Sequence, residues 1–598
     1  MNYCYIRELF DATTSTMKSR HLLFAALLFA AVSCGHRLKD GEYALQVLST
    51  NDVHSTWFDS TYVKGGGIRN SLYAMNYYVD SVRAQYGPEN VVLVDAGDCL
   101  QGDNAAYYYN YVDTVTPHLF PRLLAYMKYD AVAVGNHDIE TGHPVYDRVT
   151  KDLKKVGADF LAGNAIRNDN GEPYFPVYKM IDRAGLRIAV LGYTNANIKA
   201  WLSETLWSGM TFEPIINLVQ KDVDAVKAKE KPDVTIVTMH SACGQGDGTI
   251  LEAEALDIFN SIKGIDFLVC GHDHRPYVET RDTMALLNSG SHSRYVAHGT
   301  LNFKVEGGKI VSRSYDSELI PVKAEKADPV MRATFQKDYE AVKAFTLREV
   351  GVLNTDLWTR DAYKGMSDYI NLIHTLSIGC APAEISFAAP LTFNGHVNQG
   401  VLIYNDLFTI YPYENQLYVI NMTGQEIKNY LEVSYSNWVN TVSSPLQHVL
   451  NIRANDDPRT QQRGWSFVGR SYNFDSAAGI NYTVDVTKPV GERISITTMA
   501  SGEPFDMNRT YKVALTSYRA SGGGGLIDEA GIDSDKIDDR VVERYPEIRN
   551  ILYDYLMKNG SIDPEVIGDP KVIGHWEFVP KAIAGPAIAR DMDLLFKR

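Results

Sequence analysis

The chain has 598 residues, 45% of them hydrophobic and 22% charged, with a net charge of −15 at pH 7. At about 100–200 residues per domain, this length calls for two large domains or three smaller ones, and the composition excludes a mostly disordered chain, a collagen-like fibre and a disulfide-dense mini-protein. The acidic balance argues against a nucleic-acid-coating role, which needs a basic face, but leaves small anionic substrates open because a metal ion can supply local positive charge.

Taken in order, Met17-Lys18-Ser19-Arg20-His21 precedes an apolar run, Leu22 to Val32, that stops at Ser33-Cys34-Gly35. A basic segment, a short apolar core and small residues describe an export signal. Eleven apolar residues are too few for a membrane-spanning helix, which needs ~20. Small residues directly before a cysteine resemble a bacterial lipoprotein signal, with cleavage before Cys34 and acylation of its thiol. An ordinary cleaved signal with a coincidental cysteine is the alternative. Residues 1–34 are read as leader, with Met17 the true start. The mature protein is then exported, periplasmic or on the cell surface, and attached to membrane only through lipid. The cysteines at 4, 34, 99, 243, 270 and 380 are widely spaced with no CxxC, which reads as free thiols rather than a disulfide framework.

From Tyr43 to about Val322, β-rich runs alternate with longer amphipathic stretches. The runs are Tyr43–Leu48, Val91–Val94, Ala131–Val134, Arg187–Leu191, Val234–Val237 and Phe267–Val269. That rhythm predicts an α/β domain with helix-covered sheets, and polar clusters after such strands can converge on one site. Ala327 to Phe345 has helical spacing and reads as an exposed linker helix, bounding a linker at 325–348. Residues 349–557 mix helices (Tyr363–Leu376, Gly424–Ser434) with strands (Leu417–Ile420, Ile480–Val486, Tyr511–Leu515), an α+β pattern. Residues 558–598 are punctuated by Pro and Gly and read as a tail.

Five polar clusters each follow a β-rich run: Asp52-Val53-His54, Gly97-Asp98, Gly135-Asn136-His137-Asp138, His240, and Gly271-His272-Asp273-His274. Two divalent ions ~3.5–4 Å apart need a shared carboxylate surrounded by imidazole and oxygen ligands. Asp-x-His can place both side chains on one ion, and His-x-His can serve two neighbouring ions. Asn136 offers a neutral oxygen, which limits excess negative charge. Any one of these signals is weak, since a lone His near a strand end is more often structural; all five in order are not.

This order of motifs resembles the calcineurin-like metallophosphoesterase superfamily. The resemblance spans residues 43–322 and implies a four-layer α/β/β/α domain with two divalent metal ions (Zn, Mn, Mg, Co or Fe). It implies one ion held by Asp52, His54, Asp98 and His274, and the other by Asp98, Asn136, His240 and His272, with Asp98 bridging. His137 matches the catalytic histidine. A carboxylate three residues later orients that imidazole in nucleotidase relatives; here Glu140 stands there in place of Asp, with Asp138 the competing partner.

In the second region, Tyr413 lies in Tyr411-Pro412-Tyr413, and Tyr518 precedes the run Gly522 to Gly525. Two aromatic faces can sandwich a nucleobase, and a Gly run suits a closing loop. Taken alone, either segment is better explained by core packing of Tyr413 and a simple turn at the glycines. The region resembles the C-terminal substrate domain of the 5′-nucleotidase family. Tyr472-Asn473-Phe474-Asp475, Gly479–Pro489 and Tyr518-Arg519-Ala520-Ser521-Gly522-Gly523-Gly524 resemble its 2′,3′-cyclic-nucleotide 2′-phosphodiesterase/3′-nucleotidase branch. Tyr413 and Tyr518 fall on the base-stacking positions. The 5′-nucleotidase branch carries Asn-Gly-Gly-x-Arg where this chain has Asn398-Gln399-Gly400-Val401-Leu402, without Arg. That branch also has an acidic ribose-binding residue where Gly524 stands. The resemblance implies a monomeric hydrolase of 2′,3′-cyclic and 3′-nucleotides that binds small nucleotides and no nucleic-acid polymer. Its rivals are a 5′-nucleotidase or nucleotide-sugar hydrolase on the same scaffold, and a non-catalytic surface binding protein.

Overall fold

The computed structural model describes residues 38–597 apart from 63–66, 414 and 458–461. The leader and Cys34 lie outside the described residues. Among the described residues, no helix is long and apolar enough to cross a membrane, and Cys99, Cys243, Cys270 and Cys380 are free thiols.

The first domain is built on two six-stranded sheets. One runs in the spatial order Lys309–Pro321, Tyr295–Glu306, Gly41–Thr50, Val91–Asp95, Ala131–Ala133, Phe160–Leu161. The other runs Pro276–Arg281, Met284–Ser289, Phe267–Val269, Val234–Met239, Leu186–Tyr193, Tyr178–Arg183. Strands such as Val91–Asp95 and Val234–Met239 are buried along their whole length, as expected of strands covered on both faces. Leu45, Val47, Val92, Val94, Val190, Ile236, Phe267 and Leu287 share the core between the sheets. Helices Leu72–Tyr86, Leu119–Met127 and His143–Lys155 bury their apolar stripes in a second core. Ile215–Glu230 and Ala255–Ser261 do so in a third. The order of layers is α/β/β/α. Parallel pairing sets Thr50 opposite Asp95 and Asp95 opposite Val132, so neighbouring strands end together and their following loops meet.

The second domain is α+β, around a five-stranded sheet of Ser476–Ala478, Ile385–Ala388, Thr510–Thr516, Gln416–Thr423 and Val541–Glu547. Helix Gly424–Trp438 starts at a reciprocal cap, in which Thr423 accepts from the Glu426 N–H and Glu426 accepts from the Thr423 N–H.

Two expectations need correction. Ala327–Phe345 is not an exposed linker helix. It forms Pro329–Thr334 and Gln336–Thr346, parted at Phe335, and Met331, Phe335 and Val342 are buried in the first domain's core. Arg332 pairs with Asp59, and Arg122 with Asp338 at 2.6 Å. The apolar positions that made the stretch look helical are the stripe that docks it. Residues after Lys558 are likewise not a tail. Gly574–Val579 pairs in parallel along Ile480–Asp485, and the helix Lys581–Phe596 packs beside it. The punctuating Pro564 and Pro570 open short helices at positions where the missing N–H costs nothing.

This closing strand predicts a stability result. Trp576 is 3% exposed and lies among Tyr482, Tyr435 and Trp438. Trp576→Ala should cost about 3–5 kcal/mol in denaturant unfolding. A chain ending at Met557 should lose the second domain's unfolding transition. A truncated chain that unfolds like the full one would contradict this packing.

Candidate active site

The five clusters meet where the two sheets' strand ends converge. Asp52, His54, Asp98, His272 and His274 all have left-handed backbone, with φ of 49°, 44°, 60°, 80° and 59°. Such conformations are costly for residues other than Gly and concentrate at functional sites. The loops approach closely: a Cβ on Gly135 would lie 2.2 Å from Asp98 Oδ1. Only Gly fits there.

Two groups of three side chains can each hold a cation: Asp52, His54 and His274, and Asp98, His240 and His272. The atoms within each group lie within 4.8 Å of one another. Hydrogen bonds fix which atoms are free. Asp52 Oδ2 accepts from Asn51 Nδ2 at 2.7 Å and the His272 N–H at 2.8 Å. Its buried Oδ1 has no hydrogen-bond partner and faces His274 Nε2 at 3.5 Å. His240 Nδ1–H donates to the Ala96 carbonyl at 2.8 Å. Its Nε2 is buried and 3.1 Å from Asp98 Oδ2; burial lowers the imidazole pKa, but the Asp98 charge outweighs it and raises it to about 9. His54 Nδ1–H donates to the Gln101 carbonyl at 3.1 Å, and its Nε2 is 3.0 Å from His274 Nε2. Each of these buried pairs needs a proton or a cation between its two atoms, and lone pairs that converge in this way are the donor pattern of a metal-ligand set. The donor set fits two divalent ions. Asn136 Oδ1 is 3.0 Å from His272 Nδ1, beside the second group.

His137 follows Asn136 on one helical turn. Its N–H donates to Asp98 Oδ1 at 2.8 Å, and Glu140 Oε2 lies 2.5 Å from its Nδ1. Burial lowers the His137 pKa, but the negative charges of Asp98 and then Glu140 outweigh it and raise the imidazole to about 10. Cations at Asp98 would cancel much of that contribution and leave Glu140's. Asp138 is not the partner of His137, contrary to the alternative drawn from the sequence. Its carboxylate turns inward and accepts from the N–H groups of Gly135, Asp98, Cys99 and Leu100 at 2.8–3.0 Å. On a helical turn, position i+3 shares the face of i, whereas i+1 points away.

A cavity of about 710 Å³ is lined by Asp98, Asn136, His137 and His272 from the first domain and by Tyr413, Tyr472 and Tyr518 from the second. Tyr413 and Tyr518 are half-buried; Tyr472 meets Tyr413 edge-on with ring centres 6.4 Å apart. The glycines after Tyr518 serve close approach. A Cβ on Gly523 would lie 2.4 Å from the Tyr518 ring. Arg519, buried beneath, binds Asp475, Asn473 and the Gly523 carbonyl.

Sequence reading passed over several neighbours. Trp201 lies flat on His272 at 5.1 Å, and His292 stacks on His54 at 5.1 Å. Glu252 Oε2 is 3.8 Å from His272 Nε2. His292 carried a usable signal, since Ser291-His292-Ser293 also follows a buried strand, Met284–Ser289. Trp201 and Glu252 lie in stretches with no such pattern.

Residues 45–276 match the calcineurin-like phosphoesterase family, and residues 349–529 match the 5′-nucleotidase C-terminal domain. The chain is 25% identical to a Haemophilus influenzae 2′,3′-cyclic-nucleotide 2′-phosphodiesterase/3′-nucleotidase, over 90% of this chain and 87% of that protein. It is 24% identical to a Bacillus subtilis trifunctional nucleotide phosphoesterase over 92% of its own length, but spans only 40% of that longer protein. A Staphylococcus aureus chain solved with alpha-ketoglutarate shares the fold, with a TM-score of 0.72, 20% identity, and coverage of 90% and 99% of the two chains.

The two carboxylates beside His137 should separate by experiment. Asp138→Ala leaves buried N–H groups without an acceptor and should cost at least ~3 kcal/mol, lowering Tm and metal content together. Glu140→Gln should leave Tm nearly unchanged and act on turnover. Equal Tm values for the two variants would contradict this division of roles.

Proposed function

The chain belongs to the calcineurin-like phosphoesterases that carry a 5′-nucleotidase C-terminal domain, and from that membership we propose that it is a metal-dependent phosphoric ester hydrolase acting on nucleotides. The observation that carries this reading is one cavity lined by Asp98, His272 and His274 of the two imidazole–carboxylate groups and by Tyr413, Tyr472 and Tyr518. One end of it suits a phosphoryl group and the other a flat base. Among nucleotides, the preferred substrates are 2′,3′-cyclic nucleotides and 3′-nucleotides, which the protein converts to nucleosides and phosphate. The segment Asn398–Leu402 and Gly524, which lack the Arg and the acidic residue of the 5′-nucleotidase branch, support that preference, as does the name of the Haemophilus relative. A 5′-nucleotidase on the same scaffold is the second reading, supported by the family of the C-terminal domain.

In this reading Asp52, His54, Asp98 and His274 hold one divalent ion. Asp98, Asn136, His240 and His272 hold the other. Bound there, the ions supply Lewis-acid charge to the phosphoryl oxygens and make water available as a nucleophile at neutral pH. His137, held through Nδ1 by Glu140, presents Nε2 to the phosphoryl or leaving oxygen as a hydrogen-bond or proton donor. Tyr413 and Tyr518 hold the base, with Tyr472 closing the edge. The mature chain is exported, lipid-anchored at Cys34 and monomeric.

Phosphate release from 2′,3′-cyclic AMP, 3′-AMP and AMP tests the preference. The first two should exceed AMP in kcat/KM, and a higher value for AMP would establish the 5′ reading instead. Asp98→Asn should lose metal and most activity.

Base stacking predicts a split between substrates. Tyr518→Ala should lower kcat/KM for nucleotides by roughly 5- to 150-fold, from ~1–3 kcal/mol of stacking. It should lower turnover of an aryl phosphate much less, and Tyr518→Phe should be mild because the ring face remains. Equal losses on both substrates would make Tyr518 structural.

A further inference from the structure

Five carboxylates line the cavity: Asp98, Glu140, Glu252, Asp273 and Asp475. Four are already engaged. Asp98 faces His240 and the His137 N–H, and Glu140 holds His137. Asp273 accepts from Asn288 Nδ2 at 3.0 Å and from the N–H groups of Cys243 and Arg275. Asp475 is buried and binds Arg519 and the Tyr430 hydroxyl. Glu252 differs. Its side chain is 45% exposed and its Oε2 pairs with His272 Nε2 at 3.8 Å, which lowers the carboxyl pKa, so its other oxygen retains acceptor capacity.

The backbone of Glu252 is nonetheless fixed. Its carbonyl accepts from the Ala242 N–H at 3.0 Å, Asn195 Nδ2 at 3.1 Å and Ser241 Oγ at 3.2 Å. Its carboxylate therefore projects into the cavity from a held position beside a candidate metal ligand. It also lies close enough to Tyr518, on the facing domain, for its charge to bear on that hydroxyl. A nucleotide with its phosphoryl group at the metal clusters and its base at the tyrosines would place its sugar between these two neighbours of Glu252.

We infer that Glu252, from the first domain, accepts a hydrogen bond from an unesterified sugar hydroxyl of the substrate and so selects ribose over deoxyribose esters. This rests on the nucleotide reading. A carboxylate–hydroxyl bond is charge-assisted, and a site built to hold a hydroxyl rejects the analogue that lacks it.

The experiment compares wild type, Glu252→Ala and Glu252→Gln on 3′-AMP and AMP, on their deoxy analogues lacking the 2′- or the remaining free 3′- or 5′-hydroxyl, and on an aryl phosphate, with metal content measured throughout. The wild type should disfavour at least one deoxy analogue by ~10–100-fold. In Glu252→Ala that ratio should collapse towards one, with the loss confined mainly to the ribonucleotide, smaller on the aryl phosphate, and both ions retained. Glu252→Gln should keep part of the preference. A deoxy penalty that survives in Glu252→Ala, or no penalty in the wild type, overturns the assignment. So does an equal loss on aryl phosphate with loss of metal, which would make Glu252 a support for His272. Nucleotides hydrolysed no faster than aryl phosphate by the wild type would overturn the nucleotide reading itself, a result distinct from all of these.

Discussion

The site depends on one buried carboxylate, Asp138, that belongs to neither candidate metal group and does not line the cavity. Asp138 gathers N–H groups from two loops, Asp98 to Leu100 after one strand and Gly135 after the next. Those loops carry Asp98, Asn136 and His137, and they pass so close that Gly135 has no room for a side chain. Without a shared acceptor, converging N–H groups would be buried unpaired, at a cost of about 1–3 kcal/mol each. Asp138 turns that cost into the clamp that sets the distance between the strand ends. The left-handed backbone at five of the candidate ligands is strain that such clamps hold in place.

The same logic recurs in the second domain with opposite charge. Arg519 is buried under the substrate wall and reaches Asp475, Asn473 and two backbone carbonyls. It ties Tyr472 to the glycine turn behind Tyr518, and the missing Cβ of Gly523 lets that turn lie against the Tyr518 ring. A buried ion pair is weak evidence for stability but can specify one geometry. Here that geometry fixes the walls between which a flat ligand fits.

Much of this was legible in the sequence where one residue type has one use. Fully apolar runs such as Val91–Val94 became buried strands, and the five polar clusters fell at their ends. The helix expected over Gly424–Ser434 starts there, at the reciprocal cap of Thr423 and Glu426. Other features depended on direction. Asp138 and Glu140 were both plausible partners for His137 until a helical turn was specified, which puts i+3 beside it and turns i+1 inward. The segment 327–345 looked exposed because six charged residues are spread through it. Several of those charges, Arg332 and Asp338 among them, are docking contacts. Trp201 and Glu252 had no local signal, because their place beside His272 comes from long-range folding.

The cavity belongs to neither domain alone, which makes the interface part of the site. Tyr107 packs in the second domain's core and its hydroxyl donates to Asn550 at 2.8 Å, while Asn104 bonds Asn405 at 2.9 Å. Arg549, fully buried, lies over the rings of Tyr107 and Phe408. Helix Gln336–Thr346 spans the seam, with Val342 in the first domain's core and Phe345 in the second's. The candidate metal ligands and the cavity's tyrosines thereby come from different domains joined by a packed seam. Such a division suits a hydrolase whose chemistry is common to all phosphate esters and whose selectivity is set by what lies on the far wall.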